Sequence, residues 1–203
     1  MFSRKTFLVH PEDEKILGIA RELSTQLSYY KQDIRSVTWV DKIGLRRAPA
    51  SFLLIMQHSL QLSVAAMGKL TPEEWRPIIA SLLAYQKNMN REYLKAFLPL
   101  FAAGLLEPVI LIPIVKYTDL PLSFVFLDIA IGLIFIVVIM ALFLSLRLQK
   151  RMWFKADDRA AALVGKGLLI SSLTKLAAID SSPMRGQGLI RPNLQQRIQH
   201  LSA

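Results

Sequence analysis

The chain has 203 residues, 53% of them hydrophobic, a formal net charge of +10, no cysteine and three histidines. The missing cysteines exclude disulfides, thiolate metal sites and a cysteine nucleophile. His10, His58 and His200 are too far apart in sequence to show ligand spacing, which argues against a histidine-built zinc site. The positive charge accompanies no nucleic-acid-binding motif, so no nucleic-acid partner is expected.

Residues 1–9 hold only a brief apolar stretch before Pro11-Glu-Asp-Glu14, and no cleavable signal is expected there. From 11 to 30, Ile16, Ala20, Leu23, Leu27 and Tyr30 recur at spacings of three and four, one face of an amphipathic helix. Its first turn carries Glu12, Asp13 and Glu14, favoured at a positive helix end. Lys42-Ile-Gly-Leu-Arg-Arg-Ala-Pro49 reads as a turn punctuated by Gly44 and Pro49. The apolar stretches at 51–55 and 60–66 fit either a β-hairpin or the start of a helix.

Thr71-Pro-Glu-Glu74 starts a helix expected to run to Lys95. Thr71 caps it, Pro72 suits the first helical position and Glu74 completes a capping box. Pro77 removes a backbone donor and predicts a kink or an irregular first turn. Two apolar runs follow, 98–115 and 122–146, separated by a short polar turn, and they read as a two-helix transmembrane hairpin. The first is broken by Pro99, Gly104, Pro108 and Pro113. Cations crowd the outer ends: Lys87, Arg91 and Lys95 on one side, Arg147, Lys150, Arg151 and Lys155 on the other. By the positive-inside rule this predicts an integral protein of an inner or cytoplasmic-type membrane with both termini cytoplasmic.

Glu107 and Asp128 lie within the apolar runs. At about 1.5 Å per residue both sit roughly 10–13 Å from the same membrane face. Ionisable residues at such depth are costly. They predict contact with a partner subunit, or else a proton or ion pathway.

Beyond the hairpin, 153–163 continues the second helix until Gly165 and Gly167 break it. A further helix is expected over 168–179, then a loop over 181–188 rich in Ser, Pro and Gly. Asn193-Leu-Gln-Gln196 opens a last helix with Leu194, Ile198 and Leu201 on one face. The organisation is therefore 1–95 cytoplasmic, with its principal helix at about 71–95, then 96–147 hairpin, then 148–203 cytoplasmic and helical. The fold class is mainly α, a membrane hairpin inserted in a small helical domain.

Three stretches, Leu70-Thr-Pro-Glu-Glu-Trp-Arg-Pro-Ile-Ile-Ala-Ser-Leu-Leu-Ala-Tyr-Gln-Lys-Asn88, Trp153-Phe-Lys-Ala-Asp-Asp-Arg-Ala-Ala-Ala-Leu163 and Arg191-Pro-Asn-Leu-Gln-Gln-Arg-Ile198, resemble in order the HtpX-like membrane zinc metallopeptidases, relatives of the CaaX prenyl proteases. The turn at 43–49 fits the stretch upstream of that family's active-site helix. The resemblance implies a metallopeptidase-like core without its chemistry. Where the family carries His-Glu-x-x-His, this chain has Ser81-Leu-Leu-Ala-Tyr85, so Ser81 and Tyr85 stand at the histidine positions and Leu82 at the general base. Trp153 stands where the family's third ligand, a glutamate, is expected. Neither hydroxyl nor indole replaces a zinc ligand, and leucine moves no proton. Ser81 also has no histidine or lysine at helical spacing to activate it as a nucleophile.

Ser81, Leu82 and Tyr85 are expected to pack the former cleft, and Trp153 to fill volume or anchor an interface. Asp157 matches a supporting group of the family and is expected to cap or to pair with a cation such as Arg159 or Arg151. The expectation is a protein with no enzymatic activity and no cofactor: a structural or assembly subunit whose partners are other integral membrane subunits and the lipid bilayer. The alternative is a regulatory pseudoprotease that binds an active membrane protease or its substrates.

Overall fold

The computed structural model describes residues 10–29, 33–117, 125–180 and 191–203, without the side chains at 100, 101, 103–117, 125–131, 133, 134 and 137. Contacts divide the chain into two compact units, one formed by Met1–Asn88 with Lys150–Ala203, the other by Met89–Gln149.

The first unit opens with α1, Asp13–Gln26, which buries Ile16, Ile19, Ala20 and Leu23, the face marked by their three- and four-residue spacing. A mixed sheet follows. β1 (Ser36–Val40) lies parallel to β5 (Ser59–Ser63), and β4 (Leu53–Met56) pairs antiparallel on the other side of β5, giving the order β1-β5-β4. β4 and β5 form a two-residue hairpin through Gln57 and His58, both at positive φ, the backbone that suits a tight hairpin turn. The sequence left a hairpin and a helix open at 51–66. The strands resolve it, and a 3-10 turn, Val64–Ala66, closes the segment. Between β1 and β4, β2 (Lys42–Ile43) and β3 (Arg46–Arg47) make a second, separate ribbon.

Helix α2, Pro72–Tyr117, begins at the expected capping box. The Thr71 N–H donates to Glu74 Oε2 at 2.8 Å, and the Glu74 N–H reaches Thr71 Oγ1 at 3.4 Å. The helix continues without interruption through Pro77. Its early turns bury Trp75, Ile78, Ile79, Leu82 and Leu83. α3, Val125–Val164, ends where Gly165 takes φ +98°, a conformation open to glycine and strained for other residues. α4, Lys166–Ile179, and α5, Leu194–Ser202, complete the unit. α5 starts on a full capping box between Asn193 and Gln196. The core joins Ile16 and Leu23 of α1, Leu60 and Leu62 of β5, Trp75, Ile79 and Leu83 of α2, and Leu169 and Leu173 of α4. Burying each such leucine or isoleucine contributes about 1.5–3 kcal/mol.

The second unit is described in part. Tyr93 stacks on Phe97 one turn later, with centroids 5.8 Å apart. On α3, Phe135, Ile136, Val138, Ile139, Met140, Leu142, Phe143 and Leu144 are all exposed.

The structure is mainly helical, as expected, and adds a three-stranded sheet whose central strand is buried along its whole length. The transmembrane hairpin over 96–147 is not supported: among the described residues, no helix is long and apolar enough to cross a membrane. The apolar stretch of α3 ends at Leu146. Beyond it α3 turns basic, with Arg147, Lys150, Arg151 and Lys155. The topology drawn from those spans is withdrawn with them. The side chains of Glu107 and Asp128 lie outside the described residues, as do most of the polar turn at 116–121 and the loop at 181–188.

Candidate functional site

The three stretches singled out by their resemblance meet inside the first unit. Ser81 lies on α2 and is fully buried. Trp153 and Asp157 lie one turn apart on α3, a spacing that puts both on one face, and both are buried. Arg197 lies on α5, four residues after its capping residue Asn193, and is only 2% exposed. Leu201, four residues further on, is buried on the same side of α5.

These groups form a closed polar network. Arg197 donates through Nε to Asp157 Oδ2 at 2.8 Å and through Nη2 to Asp157 Oδ1 at 2.5 Å, a two-pronged pairing of guanidinium and carboxylate. The Ser81 hydroxyl donates to the same Oδ1 at 2.5 Å and accepts from Arg197 Nη2 at 3.0 Å. A carboxylate at 0% exposure is tolerable only when its charge is matched and its lone pairs are used. Both conditions are met.

An aromatic layer adjoins the network. Tyr85 and Trp153 stack with centroids 4.4 Å apart and planes 14° from parallel. The Arg191 guanidinium lies 4.1 Å from the Trp153 ring centre and that of Arg197 5.0 Å, both within cation–π range. Burial and the neighbouring Arg197 charge pull the Arg191 pKa down to about 9, while Asp157 and Tyr85 act in the opposite sense. Arg191 still carries its charge at neutral pH.

Ser81, Leu82, Tyr85 and Trp153 thus belong to one buried neighbourhood. Leu82, 2% exposed, is part of the hydrophobic core. Asp157 pairs with Arg197, forty positions away, and not with Arg159 or Arg151 as expected from local spacing. α3 turns its Trp153–Asp157–Ala160 face inward and leaves Arg151 and Arg159 exposed, so neither can reach the buried carboxylate. Arg191 and Arg197 are the site members that residue-by-residue reading missed. The signal for Arg197 was an arginine set on the apolar face of a capped amphipathic helix, where a cation needs a buried acid.

The arrangement does not fit zinc. The groups at the resembling ligand positions are a hydroxyl already bonded to Asp157, a phenol stacked on an indole, and that indole. Among the described residues, no cluster of three or more His, Cys, Asp or Glu is placed to hold a metal ion. Nor is Ser81 set up as a nucleophile: its proton points to a carboxylate neutralised by arginine, and the histidines are engaged elsewhere. His58 Nδ1 lies 2.9 Å from the Asp33 carbonyl, His200 pairs with Asp158 at 3.0 Å, and the His10 ring packs edge-on to Trp39. An outer cleft of about 440 Å³ runs beside Asp158, Lys166 and His200 over small alanine walls. No protein-family model, curated protein or solved structure matches the chain.

Proposed function

We propose that this protein is a non-catalytic structural or assembly subunit of a membrane protein complex, built on a metallopeptidase-like scaffold whose former site is packed shut. The observation that carries the reading is the Ser81–Asp157–Arg197 network under the Tyr85–Trp153 stack. Every position that resembles a ligand or base is occupied by a group engaged in packing or in a neutral hydrogen-bonded cluster. Such a cluster offers neither a vacant coordination position nor a nucleophile–base pair, the two features hydrolysis needs. The role that remains is binding. The exposed Phe135, Ile136, Val138, Ile139, Met140, Leu142, Phe143 and Leu144 on α3 support it, because clustered apolar surface on a helix marks an interaction face. The reading rests on binding and on no membrane span.

The test is purification of the full chain in mild detergent with its natural partners, followed by mass spectrometry and elemental analysis. The expected result is fixed stoichiometry with a larger complex and no stoichiometric zinc. Stoichiometric zinc with peptide hydrolysis overturns the proposal. Co-purification with an active protease whose turnover changes makes the chain a regulator instead.

A further inference from the structure

The ribbon of β2 and β3 serves neither the core nor the buried network. Its strands pair Lys42 with Arg47 and Ile43 with Arg46, leaving Gly44 and Leu45 as a two-residue turn. Gly44 has φ +63°, and glycine at the first central position is the pattern of a type II′ turn. The ribbon's base is tied back by the Ala48 N–H, which donates to the Asp41 carbonyl at 2.7 Å. At the tip Leu45 is fully exposed, at 102% of its reference surface. Lys42, Arg46 and Arg47 around it are exposed as well, and among the described residues none of the three forms an ion pair. A large aliphatic side chain at the apex of a turn, collared by three cations, is unexplained by the fold.

We infer that the Lys42–Arg47 ribbon is a finger that docks on an anionic lipid surface, with Leu45 entering the acyl boundary and the three cations lying at the phosphates. Charge and shape select this occupant together. Cations are drawn to an anionic leaflet, which gives Lys42, Arg46 and Arg47 a common role. Nucleic acid or an acidic protein surface would use the cations and gain nothing from an aliphatic tip held in water. The interface of a bilayer uses both, because apolar groups settle below the headgroups while cations remain among them. α3 repeats the order of groups, its exposed apolar run passing directly into Arg147, Lys150 and Arg151. The inference goes beyond the proposed role and stands whether or not the chain is a subunit of a complex.

The absence of cysteine makes the test clean, since one introduced thiol labels one site. The full chain carrying Leu45→Cys is labelled with an environment-sensitive fluorophore and mixed with vesicles of phosphatidylcholine alone, or of phosphatidylcholine with phosphatidylglycerol. The same label at the exposed Lys69, as Lys69→Cys, serves as reference. The expected result is a blue shift and intensity gain at position 45 on the anionic vesicles, little change on the neutral ones, and none at position 69. Adding Arg46→Glu and Arg47→Glu is expected to weaken binding to the anionic vesicles by at least about tenfold, and raised salt to do likewise. A label at 45 that stays unshifted on phosphatidylglycerol overturns the inference. So does an equal shift on both vesicle types, which would leave the cations without a role. Retention on an acidic polypeptide with the tip still in water would assign the ribbon to a protein partner instead.

Discussion

Two sets of charged contacts hold α2 to the rest of the first unit, and they differ in surroundings more than in geometry. At the surface, Arg76 meets Glu22 of α1 at 2.6 Å and Glu74 meets Lys175 of α4 at 2.8 Å. In the interior, Arg197 meets Asp157 at 2.5 Å and both bind Ser81. The distances are alike, yet water screens the outer pairs and is excluded from the inner one. The Arg76 hydrogen bond holds Glu22 below the usual carboxylate range, and the Lys175 hydrogen bond does the same for Glu74. Solvent keeps the energetic return of such contacts small. Inside, desolvation makes the pair all-or-none: complete, it is tolerated and specifies one arrangement, while half of it is strongly unfavourable.

The largest expected effect breaks the inner set. Arg197→Met leaves Asp157 charged, buried and unmatched, and should cost about 3–5 kcal/mol in urea unfolding. Pairing it with Asp157→Leu should restore most of that loss, because an apolar pair of similar volume needs no partner. A single variant that loses less than 1 kcal/mol (roughly the worth of a surface pair) would place the two sets in the same class after all.

Next comes the aromatic cover. Trp153→Ala removes the ring against which Tyr85 stacks and over which Arg191 and Arg197 lie, and it leaves a cavity beside the network. The expected loss is about 3 kcal/mol, read from the shift in urea midpoint. Trp153→Phe should lose clearly less by keeping the stack. Equal losses would reduce the layer to simple volume filling.

The smallest effect sharpens the outer set. The folded pKa of Glu74 lies below its ordinary value of 4.5. Its stabilising contribution is therefore present above about pH 4.5 and is lost as pH falls through the lower folded value. Glu74→Gln should cost at most about 0.5–1 kcal/mol at neutral pH and low salt. Most of that difference should vanish in high salt and at low pH. Glutamine keeps an acceptor for the Thr71 N–H, so a loss independent of both would rule out the Lys175 charge pairing as its source.

The resemblance singled out Ser81, Leu82, Tyr85 and Trp153 as positions of a lost site, expected to pack the former cleft, to fill volume or to anchor an interface. That Ser81 and Trp153 are tied to α5 could not be read from spacing. Asp157 had two arginines within six positions, and the partner it found is forty positions away. Local proximity favoured Arg151 and Arg159, but burial decided against them, because a guanidinium on the wet face of α3 cannot serve a carboxylate on the dry face.

What the sequence by itself determined is local. Thr71 with Glu74 and Asn193 with Gln196 announce two helix starts, because a capping box closes within four residues and depends on nothing else. Gly165 announces the end of α3 because one residue alone must take the positive φ. The lack of cysteine excluded thiolate metal sites, and the scattered histidines argued against a histidine-built zinc site. Tertiary structure decided the rest: the choice of strand over helix at 53–63, the parallel pairing of β1 with β5, and the joining of Ser81, Asp157 and Arg197. The last two require closing loops of tens of residues, a cost repaid only when a whole face is buried at once. Short apolar runs read the same in a strand, a core helix or a membrane, so only what packs against them tells these apart.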